Sequence, residues 1–117
     1  MMNISPFGDL AHLLQTIGQP ARLEILLAIG EGEACVCHLE AMLGRRQATL
    51  SQHLMALREA GLVDDRRDGR YIFYRLRDPA LLALVHEAAR LQGLALPSLA
   101  PSPDCGCPNC QEKACHA

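Results

Sequence analysis

Two groups of cysteines hold most of the reactive chemistry in this chain. Cys35 and Cys37 flank a single valine, and Cys105, Cys107 and Cys110 form a Cys-Gly-Cys-Pro-Asn-Cys run, with Cys115 and His116 close behind. Thiolates are soft donors that suit As(III), Cd(II), Pb(II) and Zn(II). A C-x-C-x-x-C spacing can wrap one ion. Cys107 and Cys110 also have the spacing of a redox dithiol, without the strand–helix context that usually accompanies it. Cys35 and Cys37 fall at the start of a predicted helix, where the backbone favours an anion. Residues i and i+2 do not share a helix face. Two sulfurs on one ion therefore require that first turn to open, so ligation is expected to strain the helix start. The run at 105–110 either completes a site with Cys35 and Cys37 or forms a second one. His12, His38 and His86 read as packed or flanking histidines rather than ligands.

The second chemistry is hydrogen bonding to nucleic acid. The stretch 47–60 reads as a helix with Leu50, Leu54 and Leu57 at i, i+4 and i+7 as its buried stripe. Gln47, Ser51, Gln52 and Arg58 are left outside, with Thr49 and His53 on the flanks. Short and amide side chains are what a helix needs to meet base edges in a major groove. Arg45 and Arg46 at its entry, and Arg67 and Arg70 at a following hairpin, suit phosphates.

The surrounding elements follow from local pattern. Ser5-Pro6 reads as an N-cap and first helical residue, opening a helix to about Ile17 that Gly18 stops. A second helix starts at Gln19-Pro20 with Leu23, Leu26, Leu27 and Ala28 as its apolar set. Arg22 in its first turn is badly placed for a cation; its candidate partners are Glu24 or a carboxylate elsewhere, between which the sequence does not choose. A third helix, Val36 to Leu43, turns inward Val36, Leu39 and Leu43 and ends at Gly44. Only Gly44 to Arg46 separate it from the next helix, which forces a sharp helix-turn-helix corner. The period then switches to two: Val63 to Arg67 and Tyr71 to Leu76 flank Asp68-Gly69, a hairpin signal with both turn positions at positive φ. Asp78-Pro79 opens a fifth helix to about Gln92, apolar on more than one stripe, as expected of a surface packed on a partner chain. Prolines at 97, 101, 103 and 108 make the remainder irregular. The expected organisation is one domain over residues 1–93 and a cysteine-rich tail over 94–117.

Composition agrees with a small helical protein. Half of the 117 residues are hydrophobic, only 3% are aromatic and there is no tryptophan, so the core must be aliphatic. The net charge of −2 argues against nucleic acid until its distribution is read. Residues 45–77 carry eight arginines against four acids, a net +4, while 1–44 carry −4 and 78–117 carry −2. A local basic patch suffices to hold phosphate. No apolar run approaches a membrane span of about 18 residues and no signal-peptide pattern is visible. A cytoplasmic location is therefore expected, where thiols stay reduced.

The run Gln47-Ala-Thr-Leu-Ser51-Gln-His53-Leu-Met-Ala-Leu-Arg58-Glu-Ala-Gly61-Leu-Val, followed by Asp68-Gly69-Arg70-Tyr-Ile-Phe-Tyr74, resembles the ArsR/SmtB family of metal-responsive bacterial repressors, over roughly residues 8–92. The resemblance implies a mainly α winged helix-turn-helix fold with a small β-hairpin, and a homodimer joined through its first and fifth helices. It implies a non-enzymatic repressor that holds double-stranded operator DNA and releases it on binding a metal or metalloid. Neither a membrane nor a small-molecule substrate is implied. Cys35-Val36-Cys37 resembles the metal box of arsenic- and cadmium/lead-sensing members. Glu40 stands where some members carry a third cysteine, and an N-terminal cysteine is absent, which makes the tail the expected third donor. Of the zinc site that other members build on the fifth helix, Asp78 matches one position, while Ala80, Leu91 and Leu94 occupy the others. The expected inducer is As(III), or Cd(II)/Pb(II), bound by Cys35 and Cys37 with Cys105, Cys107 or Cys110. The alternatives are a thiol-redox or sulfide-responsive repressor on the same fold, and a constitutive DNA binder with structural Zn(II) in its tail. A thiol oxidoreductase using Cys107 and Cys110 lacks an accompanying general base.

Overall fold

The computed structural model describes residues 5–97 and Leu99. Eight elements follow in the order α1 (Pro6–Ile17), α2 (Pro20–Ile29), β1 (Glu33–Cys35), α3 (Val36–Leu43), α4 (Gln47–Glu59), β2 (Val63–Asp68), β3 (Tyr71–Leu76) and α5 (Ala80–Leu91). The three strands form one antiparallel sheet in the order β1-β3-β2. The fold is a winged helix-turn-helix.

Local chemistry sets the boundaries. Ser5 caps α1, its hydroxyl accepting the Gly8 N–H at 3.3 Å, and Pro6 occupies the first helical position. Gly44 ends α3 in the left-handed conformation (φ 66°, ψ 24°) and donates its N–H to Glu40. That conformation turns the chain directly into α4. Asp78 accepts the Ala80 N–H at 2.9 Å ahead of α5.

The core is aliphatic. Ile25 and Leu26 of α2, Leu39 of α3, Leu50, Leu54 and Leu57 of α4, Val63 of β2 and Leu76 of β3 pack as one cluster, with Leu81 and Val85 of α5 closing it. Leu96, beyond α5, folds back onto the same cluster. The apolar set expected for α2 was too narrow. Its buried residues are Ala21, Ile25, Leu26 and Ile29, while Leu23, Leu27 and Ala28 are only partly covered. The cause is position: α2 packs against α3, α4, α5 and the sheet, so it buries more than one stripe.

Two further expectations are corrected. The hairpin turn is one residue later than Asp68-Gly69. Asp68 pairs with Tyr71, leaving Gly69-Arg70 as the two-residue loop. Gly69 has φ 62° and, among the described residues, no non-glycine residue has positive φ, the pattern of a type II′ turn with glycine at its first central position. Strand β1 was not anticipated, because three residues are too few to show a period.

Outside the core, α1 exposes Phe7, Leu10 and Leu14, and α5 exposes Leu84 and Leu91. The two helices flank an apolar groove of about 370 Å³ lined in part by Leu14, Ile17, Leu27 and Leu84. No helix among the described residues is long and apolar enough to cross a membrane.

Candidate functional site

Helix α4 stands clear of the core on one side. Leu50, Leu54 and Leu57 are fully buried, as their spacing requires, while Gln47, Ala48, Gln52 and Met55 are exposed and Thr49, Ser51 and His53 half-buried. Met55, 54% exposed, lies on the Gln52 side of the helix and was missed from sequence because methionine reads as core. An exposed apolar side chain there can meet a thymine methyl group. The wing, β2 and β3, carries Arg67 and Arg70, both exposed.

Charge pairing divides the arginines of residues 45–77. Arg45 donates to Glu24 at 2.9 Å, Arg58 to Asp65 at 2.9 Å, Arg66 to Glu33 at 2.7 Å and Arg77 to Asp64 at 2.8 Å. These bridges tie the corner before α4 to α2, α4 to β2, β2 to β1, and β2 to the residue that follows β3. Among the described residues Arg46, Arg67 and Arg70 are in no ion pair with a carboxylate, whereas Arg75 faces Asp64 across the ladder and acts on it through its charge, so the unpaired positive charge is concentrated at the α4 entry and along the wing. Replacing Arg67 and Arg70 together with alanine is expected to weaken binding to a duplex selected by the protein from a random pool. It should lower the slope of log affinity against log salt by about 0.9 per lost phosphate contact. An unchanged slope in a salt titration would remove both residues from the interface.

Arg22 meets no carboxylate, contrary to expectation. Its Nη1 donates to the Thr16 carbonyl at 2.9 Å and its Nε to His53 Nδ1 at 3.1 Å. The Thr16 carbonyl lies in the last turn of α1, the negative end of that helix, which makes a cation at the start of α2 tolerable. Burial, then the Arg22 and Arg45 charges, hold the His53 imidazole below its usual value.

The cysteine pair is arranged differently from the helical geometry expected for it. Cys35 is the last residue of β1 and the N-cap of α3, with extended backbone (φ −86°, ψ 167°), and Cys37 is the second helical residue. Because the pair straddles a strand–helix junction, the i, i+2 restriction does not apply. Cys35 Sγ and Cys37 Sγ lie 2.9 Å apart with no turn of α3 opened, so convergence of the sulfurs needs no helix strain. Cys35 Sγ also accepts the His38 N–H at 3.3 Å. Cys35 is 2% exposed and Cys37 half-buried, and neither is in a disulfide.

The thiols contact the wing. Cys35 pairs with Phe73 in the β1–β3 ladder, and these two residues form a small core of their own, flanked by Cys37 and Tyr71. Arg66 lies over the Phe73 ring at 4.7 Å and Arg70 over the Tyr71 ring at 5.5 Å. A cleft of about 240 Å³ brings together Cys35, Cys37, Gln47, Arg70, Tyr71 and Ile72. Its walls therefore include the first residue of α4 and the tip of the wing. Among the described residues no group of three His, Cys, Asp or Glu side chains could hold a metal ion. Cys105, Cys107 and Cys110 lie outside the described residues.

A polar helix set by a tight turn beside a basic hairpin defines a winged helix-turn-helix transcription regulator. The comparisons agree. The family model described as "Bacterial regulatory protein, arsR family" matches residues 19–65. The biofilm growth-associated repressor of Agrobacterium fabrum is 48% identical over 77 residues, 66% of each chain. The arsenical resistance operon repressor of Escherichia coli K12 is 40% identical over 85 residues, 69% of this chain and 73% of that one. The crystal structure of the transcriptional repressor BigR from Xylella fastidiosa superposes with a TM-score of 0.67 at 40% identity, covering 73% of this chain and 87% of the other. The chain belongs to the arsR family of bacterial regulatory proteins. It is a transcriptional repressor and not an enzyme.

Proposed function

We propose that the chain is a metal- or metalloid-responsive repressor, working in the cytoplasm as a homodimer on double-stranded operator DNA. It is released when Cys35 and Cys37 bind As(III), or Cd(II)/Pb(II), together with a thiol from Cys105, Cys107 or Cys110. The observation that carries this reading is the shared cleft: two sulfurs 2.9 Å apart face a space walled by Gln47 of α4 and Arg70 of the wing. Gln47, Thr49, Ser51, Gln52 and His53 are the DNA-facing set of α4, with Thr49 and His53 on its flank, and Arg46, Arg67 and Arg70 are phosphate contacts. Arg45 contributes after sharing its charge with Glu24. The exposed faces of α1 and α5 supply the dimer contact.

The donor set fits a soft thiophilic ion in part. Two sulfurs are in place, and As(III) takes three. Leu99 lines a groove with Met42 and Leu43 at the far end of α3. An eight-residue helix is about 12 Å long, and any six-residue segment can span at most about 20 Å, so the chain length between Leu99 and Cys105 allows a tail thiol to reach the pair. The coupling runs through the wing: Cys35 packs on Phe73, and the Phe73 and Tyr71 rings carry Arg66 and Arg70. Similarity to an arsenical resistance operon repressor favours As(III) as the first inducer to test.

The same 2.9 Å approach supports a second reading, a thiol-redox or sulfide-responsive repressor in which the pair is oxidised. Titration with arsenite or Cd(II) under reducing conditions, followed by ultraviolet sulfur–metal absorption, separates the two. The metal reading predicts one equivalent per protomer, and clear weakening in the C105S/C107S/C110S variant. Silence toward every metal, with a two-electron oxidation of Cys35 and Cys37 under mild oxidant, would establish the second reading instead.

A further inference from the structure

Among the described residues Arg22 is the one arginine whose contacts join α1, α2 and α4, the helix read as entering the groove. Its guanidinium has donors only. His53 Nδ1, 3.1 Å from Arg22 Nε, must therefore be the unprotonated ring nitrogen, and a neutral imidazole then carries its proton on Nε2. Among the described residues no group is bonded to Nε2. The ring is held at one edge and left with one donor at the other. His53 lies on the α4 flank that also carries Thr49 one turn earlier, and Arg46 is the N-cap of the same helix. That N-cap arginine is in no ion pair with a carboxylate among the described residues, so the entry of α4 offers a cation to a strand of phosphates and His53 offers a neutral donor on the flank.

We propose that Arg22 is a positioning residue for DNA binding: it fixes His53 as the Nε2–H tautomer, and His53 Nε2–H donates to a DNA phosphate oxygen. The inference rests on the reading that α4 enters the major groove, and it adds a residue of α2 that does not touch DNA. Because Arg22 also holds the Thr16 carbonyl at the end of α1, the same side chain connects the helix with the exposed apolar face to the reading helix.

Glutamine places its amide near the Nε2 position of histidine, and asparagine near Nδ1. The test compares His53→Gln, His53→Asn, Arg22→Met and Arg22→Met/His53→Gln in anisotropy titrations on the selected duplex, with thermal melts as a check on folding. Nitrogen-15 NMR of the histidine ring reports the tautomer directly. Expected are an unprotonated Nδ1 in the wild type, near-wild-type affinity for His53→Gln, and a loss of about tenfold for His53→Asn. Arg22→Met should lose a similar factor, which adding His53→Gln largely restores. A proton on Nδ1, or equal affinities for the Gln and Asn variants, overturns the proposal. Ser51→Ala and Gln52→Ala serve as the control. If they leave affinity unchanged, the groove reading of α4 fails and this proposal with it. If they weaken binding while His53→Asn does not, only the role of Arg22 and His53 is lost.

Discussion

Phe73→Ala is expected to cost about 3–5 kcal/mol of folding stability and to open Cys35 to solvent. Phe73 is 1% exposed, and the small core it forms contains only one other fully buried residue, Cys35. With so few neighbours the space left by the ring cannot be refilled from the aliphatic cluster on the opposite face of the sheet. The ring is also the platform for Arg66, worth about 0.5–1 kcal/mol at an exposed site, and Arg66 in turn pairs with Glu33 on β1. Removing the ring therefore loosens β1 from the wing as well as emptying a core position. Urea denaturation should show the stability loss, and alkylation of Cys35 by iodoacetamide should accelerate strongly. Phe73→Leu, which keeps most of the volume, should do less of both. If alkylation is no faster in the alanine variant, the thiols are not shielded by the wing, and the proposed route from sulfur to DNA loses its middle link.

That link was not legible in the sequence. Alternation in β3 separates Phe73 and Tyr71 from Tyr74 and Leu76, but it does not say what covers the first face. Cys35, beside Phe73 on the neighbouring strand β1, shares that face, and Arg66 lies over the ring. Strand β1 has three residues and a partner far along the chain, and pairing of that kind leaves no local signal. The same limit explains the cysteines. The spacing of Cys35 and Cys37 identifies a thiol pair, whereas the strand–helix junction that brings their sulfurs together depends on β1. What was legible was local: the Leu50, Leu54, Leu57 stripe, the Gly44 stop, the short corner into α4, and the basic hairpin. Charge was legible as a total and not as pairs. Counting arginines finds the basic patch, but only the fold shows that Arg45, Arg58, Arg66 and Arg77 are occupied by carboxylates while, among the described residues, Arg46, Arg67 and Arg70 are in no such pair. Arg22 was read from its own helix alone, so a partner on α4 could not be foreseen.

The second large effect concerns regulation. Serine in place of Cys35 and Cys37 removes both sulfurs while keeping the local structure, because Ser is itself a preferred N-cap and can accept the His38 N–H that Cys35 accepts now. The empty C35S/C37S protein is therefore expected to fold and to hold its operator like the wild type. Coupling between an inducer and DNA in regulators of this kind is of the order of 1–3 kcal/mol, or about 5–150-fold in affinity. The double variant should lose all of it.

The most direct measurement is operator affinity by fluorescence anisotropy, with and without stoichiometric arsenite under reducing conditions, in the wild type and in C35S/C37S. The account predicts that arsenite weakens wild-type binding within that range and leaves the double variant unaffected. A wild-type protein that holds its operator equally tightly when loaded with arsenite, or a double variant that responds like the wild type, would contradict it.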